Sequence, residues 1–239
     1  MISRNTLLGS FIVLGLLTMT AQAACQTKEF DGKSLSRCKV WPAFQNQAIA
    51  LKSTYLADAG SDDAGMYDLD LSIVNASNAA PIATYHKPGA YNSDAIRLDD
   101  LRIDTARYRL APDVRAFGVR SLFGHSSSAL PYEKTDLTLY VREGNALRPV
   151  LEGLVVFKNN GEFMGDCSGY ANQVRRTLDV APTSHHGFAD LIITTRGSKM
   201  KEIKSGGQCV SKTTDLKKTQ ITLTYDGEQY VVPEDFRGY

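Results

Sequence analysis

Apolar and polar residues alternate along most of this chain with a period of two, the pattern of half-buried β-strands. Residues 67–74 show it most plainly: Leu69, Leu71 and Ile73 fall on one side, with Asp68, Asp70 and Ser72 on the other. Similar runs predict strands over 48–56, 81–86, 136–142, 147–151, 154–158, 189–195, 220–225 and 228–232. The longest patterned stretch is 101–123, in which Leu101, Ile103, Tyr108 and Leu110 precede Ala111-Pro112-Asp113 and the pattern resumes from Val114. Proline cannot continue a central ladder. The stretch therefore reads as two central strands around a corner.

Turn residues separate these runs. Glu143-Gly144-Asn145, Asn159-Asn160-Gly161-Glu162 and Asp226-Gly227 carry hairpin chemistry. One helical turn is expected within 93–100. Tyr170, Val174 and Leu178 stand four apart behind Ser168, which predicts a short capped helix. The fold class that follows is all-β: an antiparallel β-sandwich-like domain with at most one or two short helices.

The first residues differ in kind. Arg4 precedes a mostly apolar run over 7–21, and Ala21-Gln22-Ala23 has the small-x-small pattern of a cleavage site. Residues 1–23 therefore read as a Sec-type signal peptide, cut after Ala23, and the chain as periplasmic. The apolar run is short for a membrane span, and no later one matches it. A lipoprotein anchored at Cys25 is the alternative, but Gln22 stands where lipidation needs a Leu-like residue. The expected divisions are 1–23 signal peptide, 24–50 a disulfide-stapled N-terminal segment anchored by Trp41 and Phe44, and 51–239 the β-rich domain.

The chain has 27 basic and 26 acidic residues, and removing 1–23 takes away Arg4 alone. A net charge near zero gives no electrostatic case for nucleic acid. The four cysteines, Cys25, Cys38, Cys167 and Cys209, suit disulfides in an oxidising compartment. Of the three pairings, Cys25–Cys38 with Cys167–Cys209 is expected, because each pair lies within one region of the chain. No C-x-x-C and no nearby histidine support a metal site.

Several chemical motifs fall short. Gly124-His125-Ser126-Ser127-Ser128 begins like a nucleophile elbow but lacks the final glycine, and Pro131 blocks the helix that should follow. His185-His186-Gly187 reads as a surface turn with no acid close in sequence. The acidic stretch 58–65 fails the calcium-loop pattern, with Asp63 at the sixth position and Leu69 at the twelfth. Arg102, Arg107, Arg109, Arg115 and Arg120 suggest an anion groove, yet Asp99, Asp100, Asp104 and Asp113 stand beside them; scaffold is the preferred reading. No catalytic residue, cofactor or metal is assigned.

The asymmetric feature is basic. Lys199, Lys201, Lys204, Lys212, Lys217 and Lys218 fall on a predicted loop with only Glu202 and Asp215 opposing, and Cys209 in its middle. A loop held by a disulfide loses less entropy on binding. These lysines are the candidate contact for an acidic protein partner or an anionic glycan.

The phrase Asp104-Thr105-Ala106-Arg107-Tyr108-Arg109-Leu110-Ala111, with Arg115-Ala116-Phe117-Gly118-Val119-Arg120, Ala189-Asp190-Leu191 and Tyr225-Asp226-Gly227, resembles a set of exported β-rich Gram-negative proteins of uncharacterised function. The resemblance spans most of the chain after the signal peptide and implies no catalytic residue. The expected function is a non-enzymatic periplasmic binding protein, in its most concrete form an inhibitor or immunity-type protein that caps a protein partner. A carbohydrate- or envelope-binding module is the second expectation and a hydrolase the third.

Overall fold

A computed structural model describes residues 27–58 and 64–238. The strands are β1 (Ser34–Val40), β2 (Gln47–Ala57), β3 (Gly65–Asn75), β4 (Pro81–Ser93), β5 (Arg97–Asp104), β6 (Phe117–His125), β7 (Tyr132–Glu143), β8 (Ala146–Glu162), β9 (Tyr170–His185), β10 (Phe188–Ser205), β11 (Gln208–Asp215) and β12 (Thr219–Leu223). Glu234–Phe236 forms a 3₁₀ turn, the one helical element among the described residues. The all-β expectation holds. The expected signal peptide, Cys25 and most of the acidic 58–65 stretch lie outside the described residues.

Hydrogen bonding runs β1-β2-β3-β4-β8-β7-β6-β5, with β9 beside β8 and β10 carrying β9, β11 and β12. Among the described residues, all strand pairs are antiparallel except a single parallel bridge, Thr84 to Ala146, that joins β4 to β8. The sheet therefore folds over at this weak joint, and the two halves pack face to face. Leu35, Ile49, Leu51, Leu69, Leu71 and Ile73 of β1–β3 meet Leu98, Leu101, Phe117, Val119 and Tyr140 of β5–β7. A second core lies beside Leu137, Leu139 and Val141 of β7 and Val150, Leu151 and Leu154 of β8. Leu191 and Ile193 of β10, Leu223 of β12, Tyr108, Leu110, Tyr225 and Tyr230 cover it.

Trp41 is a core residue as expected. It is buried, with its ring 5.3 Å from that of Phe117, and Phe117 in turn stacks on Tyr140 at 5.8 Å. In the N-terminal segment β1 pairs with β2 along its whole length, and residue 50 falls inside β2.

Four expectations are corrected. The stretch 101–123 does not form two central strands. β6 is interior, but β5 ends the sheet path, and its outer side is met by β1 through Arg37–Asp100 at 2.8 Å and Lys39 Nζ to the Ile103 carbonyl at 3.2 Å. The helix behind Ser168 is β9, paired with β10 along its length. Residues four apart share a face in a strand as well as in a helix, so that spacing cannot discriminate between them. The Asn159–Glu162 turn is also strand, since β8 runs through it. Gly161 serves close approach instead, because a Cβ there would collide with the Tyr170 carbonyl of β9. Residues 94–96 form a bend into β5, not a helical turn.

Other turns stand where they were expected. Gly144, at φ +63°, turns β7 into β8, and His186 with Gly187, at +47° and +87°, turns β9 into β10.

Candidate functional site

The six lysines do not sit on a loop. They sit on and behind a two-stranded arm made by the outer half of β10 and by β11. Cys167–Cys209 closes at the arm's end, one residue pair inside the Gly206-Gly207 turn. Cys38 is disulfide-bonded as well, and its expected partner lies outside the described residues. Every residue of β11 is exposed.

Register decides which lysines act together, because directly opposed residues project to the same side. Lys201 faces Lys212 on one flank and Tyr170 of β9 on the other. Tyr170 faces Glu162 of β8. The next row is Asn160, Asn172, Lys199 and Thr214. Ile203 faces Val210 toward the tip, and both are exposed, as is Tyr170. Leu216 lies beside Gly197, two residues before Lys199.

Alternation puts Glu202 and Asp215 on the reverse side, opposite Ser211 and Ser198. Lys204 is also reversed, opposite Cys209, while Lys217 and Lys218 follow in the link to β12. Three lysines thus share one side with exposed Tyr170, Ile203 and Val210. The nearest carboxylate in their row, Glu162, is two strands from Lys201, about 10 Å. No salt bridge among the described residues involves any of the six lysines. A Lys–Lys cross-strand pair is unfavourable on its own. An anionic group placed over it removes that repulsion.

A second feature is a cavity of about 530 Å³ between β4, β6, β7 and the chain near Arg237. Tyr91, Phe123, Tyr140 and Leu69 supply apolar walls. Lys134, buried, pairs with Asp136 at 2.9 Å and holds its ammonium 4.7 Å from the centre of the Phe123 ring. Asp136 Oδ1 is buried without a hydrogen-bond partner. Burial raises the Asp136 pKa despite the opposing pull of Lys134. Such an oxygen favours a ligand that donates a hydroxyl or amine hydrogen.

The remaining motifs resolve differently. β6 runs from Gly124-His125 into a loop leading to β7, with no helix after Ser126. His125 Nδ1 accepts from the Ser127 N–H at 3.1 Å, so this nitrogen does not activate a hydroxyl. His185 does have an acidic partner, contrary to expectation. Its Nδ1 stands 2.7 Å from Asp190 Oδ1, and Asp190 Oδ2 accepts from Thr183 Oγ1 at 2.6 Å. Hairpin pairing brings the acid back across the turn. No group of three or more potential metal ligands gathers among the described residues.

Among the described residues, no helix is long and apolar enough to cross a membrane. No family model, no curated protein and no solved structure matches the chain.

Proposed function

We propose that this chain is an exported, non-enzymatic binding protein of the periplasm. It docks an acidic protein partner on the Lys199–Lys201–Lys212 side of its arm, in the manner of an inhibitor or immunity-type protein. The leader-like residues 1–23 and the disulfides support export to an oxidising compartment. The carrying observation is the register that sets Lys201 against Lys212 and turns both local acids away.

Further features suit a protein occupant. Tyr170, Ile203 and Val210 offer an exposed apolar centre beside the charges. Among the described residues β11 hydrogen-bonds only β10, so its outer edge accepts an added strand. Lys212 on that strand opposes pairing with a second copy of β11, whereas an acidic strand is drawn to it.

The test uses the chain as bait in periplasmic extract beside a Lys199→Glu/Lys201→Glu/Lys212→Glu variant. The expected result is a partner held by wild type, released by raised salt and lost to the variant, with thermal stability unchanged within about 0.5 kcal/mol. A partner retained equally by both baits, or none at all, overturns the reading.

Envelope or carbohydrate binding is the second reading, and the cavity beside Asp136 favours it. Its apolar walls and unpartnered carboxylate oxygen fit a hydroxyl-bearing ring.

A further inference from the structure

The arginines of 101–123 look alike in sequence, but the fold separates them into two groups. Those on or against the β5–β6 pair are neutralised. Arg102 Nε donates to Asp100 at 2.8 Å, Arg37 reaches the same carboxylate at 2.8 Å, and Arg120 meets Asp104 at 2.7 Å. The other three, Arg107, Arg109 and Arg115, lie on the connection between β5 and β6 and form no salt bridge among the described residues.

That connection is a small hairpin of its own. Leu110 N–H donates to the Val114 carbonyl at 3.0 Å, Ala116 N–H to the Tyr108 carbonyl at 2.9 Å, and Arg109 bridges Arg115 directly. Tyr108, Leu110 and Ala116 point into the second core. Alternation therefore turns Arg107, Arg109 and Arg115 outward together. One guanidinium hydrogen bond is internal: Arg109 Nη2 donates to the Pro112 carbonyl at 2.8 Å. Arg115 Nε is buried and has no partner.

Two opposed arginines with a third one turn of the pleat away repel one another. Burial first, and then the charges of Arg107 and Arg109, lower the Arg115 pKa. A cluster of guanidinium donors with an orphaned N–H matches an oxygen-rich anion that takes several hydrogen bonds at once. A carboxylate fills at most one fork, whereas a phosphate offers oxygens to all three.

We propose that Arg107, Arg109 and Arg115 form a binding site for a phosphate-class oxyanion, separate from the lysine arm. Both a free phosphate and a phosphate-bearing lipid headgroup present this chemistry.

The experiment titrates inorganic phosphate into the folded chain at low ionic strength by calorimetry. It compares wild type with Arg107→Gln/Arg109→Gln, Arg115→Lys and Lys199→Gln/Lys201→Gln. The expected result is saturable binding to wild type, weakened about tenfold or more in both arginine variants and unchanged in the lysine variant. Arg115→Lys keeps the charge and loses the Nε donor, so its effect reports geometry. Arg107 and Arg109 are exposed, so their double variant removes charge without touching the core. No saturable binding, or equal binding by wild type and arginine variants, overturns the proposal. Weakening by the lysine variant alone also overturns it by assigning the anion to the arm.

A second arm sediments phosphatidylglycerol and phosphatidylcholine vesicles with the same proteins. Retention on the phosphatidylglycerol vesicles alone, lost in the arginine variants, assigns the site to a headgroup. Phosphate binding without retention assigns it to a soluble phosphate.

Discussion

β3 and β11 are both regular antiparallel strands, and they have opposite relations to the rest of the molecule. β3 lies between β2 and β4 and buries Tyr67, Leu69, Leu71 and Ile73. Among the described residues β11 lies at an edge, buries nothing and pairs with one neighbour. Apolar burial holds the first, while backbone pairing with β10 and the Cys167–Cys209 link hold the second. A segment kept in place without a core of its own can vary its side chains at little cost to folding. Such a segment can carry like charges in opposition, as at Lys201 and Lys212.

This contrast can be broken at its strong end first. Phe117 is fully buried between Trp41 and Tyr140, where the first core is densest in aromatic rings. Phe117→Ala is expected to cost about 3–5 kcal/mol in denaturant unfolding, in the range for large-to-small core changes. A cost below about 1 kcal/mol would mean that this core does not organise the fold.

The disulfide comes next. It closes a sequence separation of 42 residues, for which the chain-entropy relation gives about 4 kcal/mol. Cys167→Ser/Cys209→Ser is expected to lower global stability by up to that amount. Hydrogen exchange is expected to rise first in β11, with β3 amides still protected. Uniform loss of protection across both strands would erase the distinction between arm and core.

A smaller effect sharpens the comparison by pH. Asp104 accepts from Arg120 Nε at 2.8 Å, Tyr108 O–H at 2.9 Å and Ala106 N–H at 2.9 Å. Burial pushes its pKa up, but the Ala106 hydrogen bond and the charge and hydrogen bonds of Arg120 and Tyr108 outweigh it and hold the carboxyl below its usual range. A folded pKa below the unfolded one stabilises above about pH 4, and that contribution disappears as pH falls through the folded value. Asp104→Asn is expected to cost about 1–3 kcal/mol at pH 7. Its deficit relative to wild type should narrow as melts are repeated toward about pH 2. A constant deficit across that range would rule out the ionised carboxylate as the source. Least of all, the lysine substitutions of the arm should leave unfolding almost unmoved while changing binding.

Much of the molecule was legible along the chain. Strict alternation in β3, the turn at Gly144 and the turn at His186-Gly187 depend on nearest neighbours, while the burial of Trp41 and the pairing of Cys167 with Cys209 were read from residue type and from the even cysteine count. Period-two side preference and positive-φ turn chemistry are local properties, and they survived folding.

Register was not legible, and the candidate sites depend on it. Within one strand the sequence shows which residues share a side, but not which residue of the next strand stands opposite. The arginines of 101–123 read as one balanced stripe. Pairing of β5 with β6 brought Asp104 to Arg120, the approach of β1 to β5 brought Arg37 to Asp100, which Arg102 already reaches along its own strand, and Arg107, Arg109 and Arg115 have no acid among the described residues. The lysines read as one loop countered by Glu202 and Asp215. Pairing of β10 with β11 gathered three of them on one side and sent both acids to the other. Charge composition is additive along the chain, but neutralisation depends on distance across strands, which exists only once the sheet has formed.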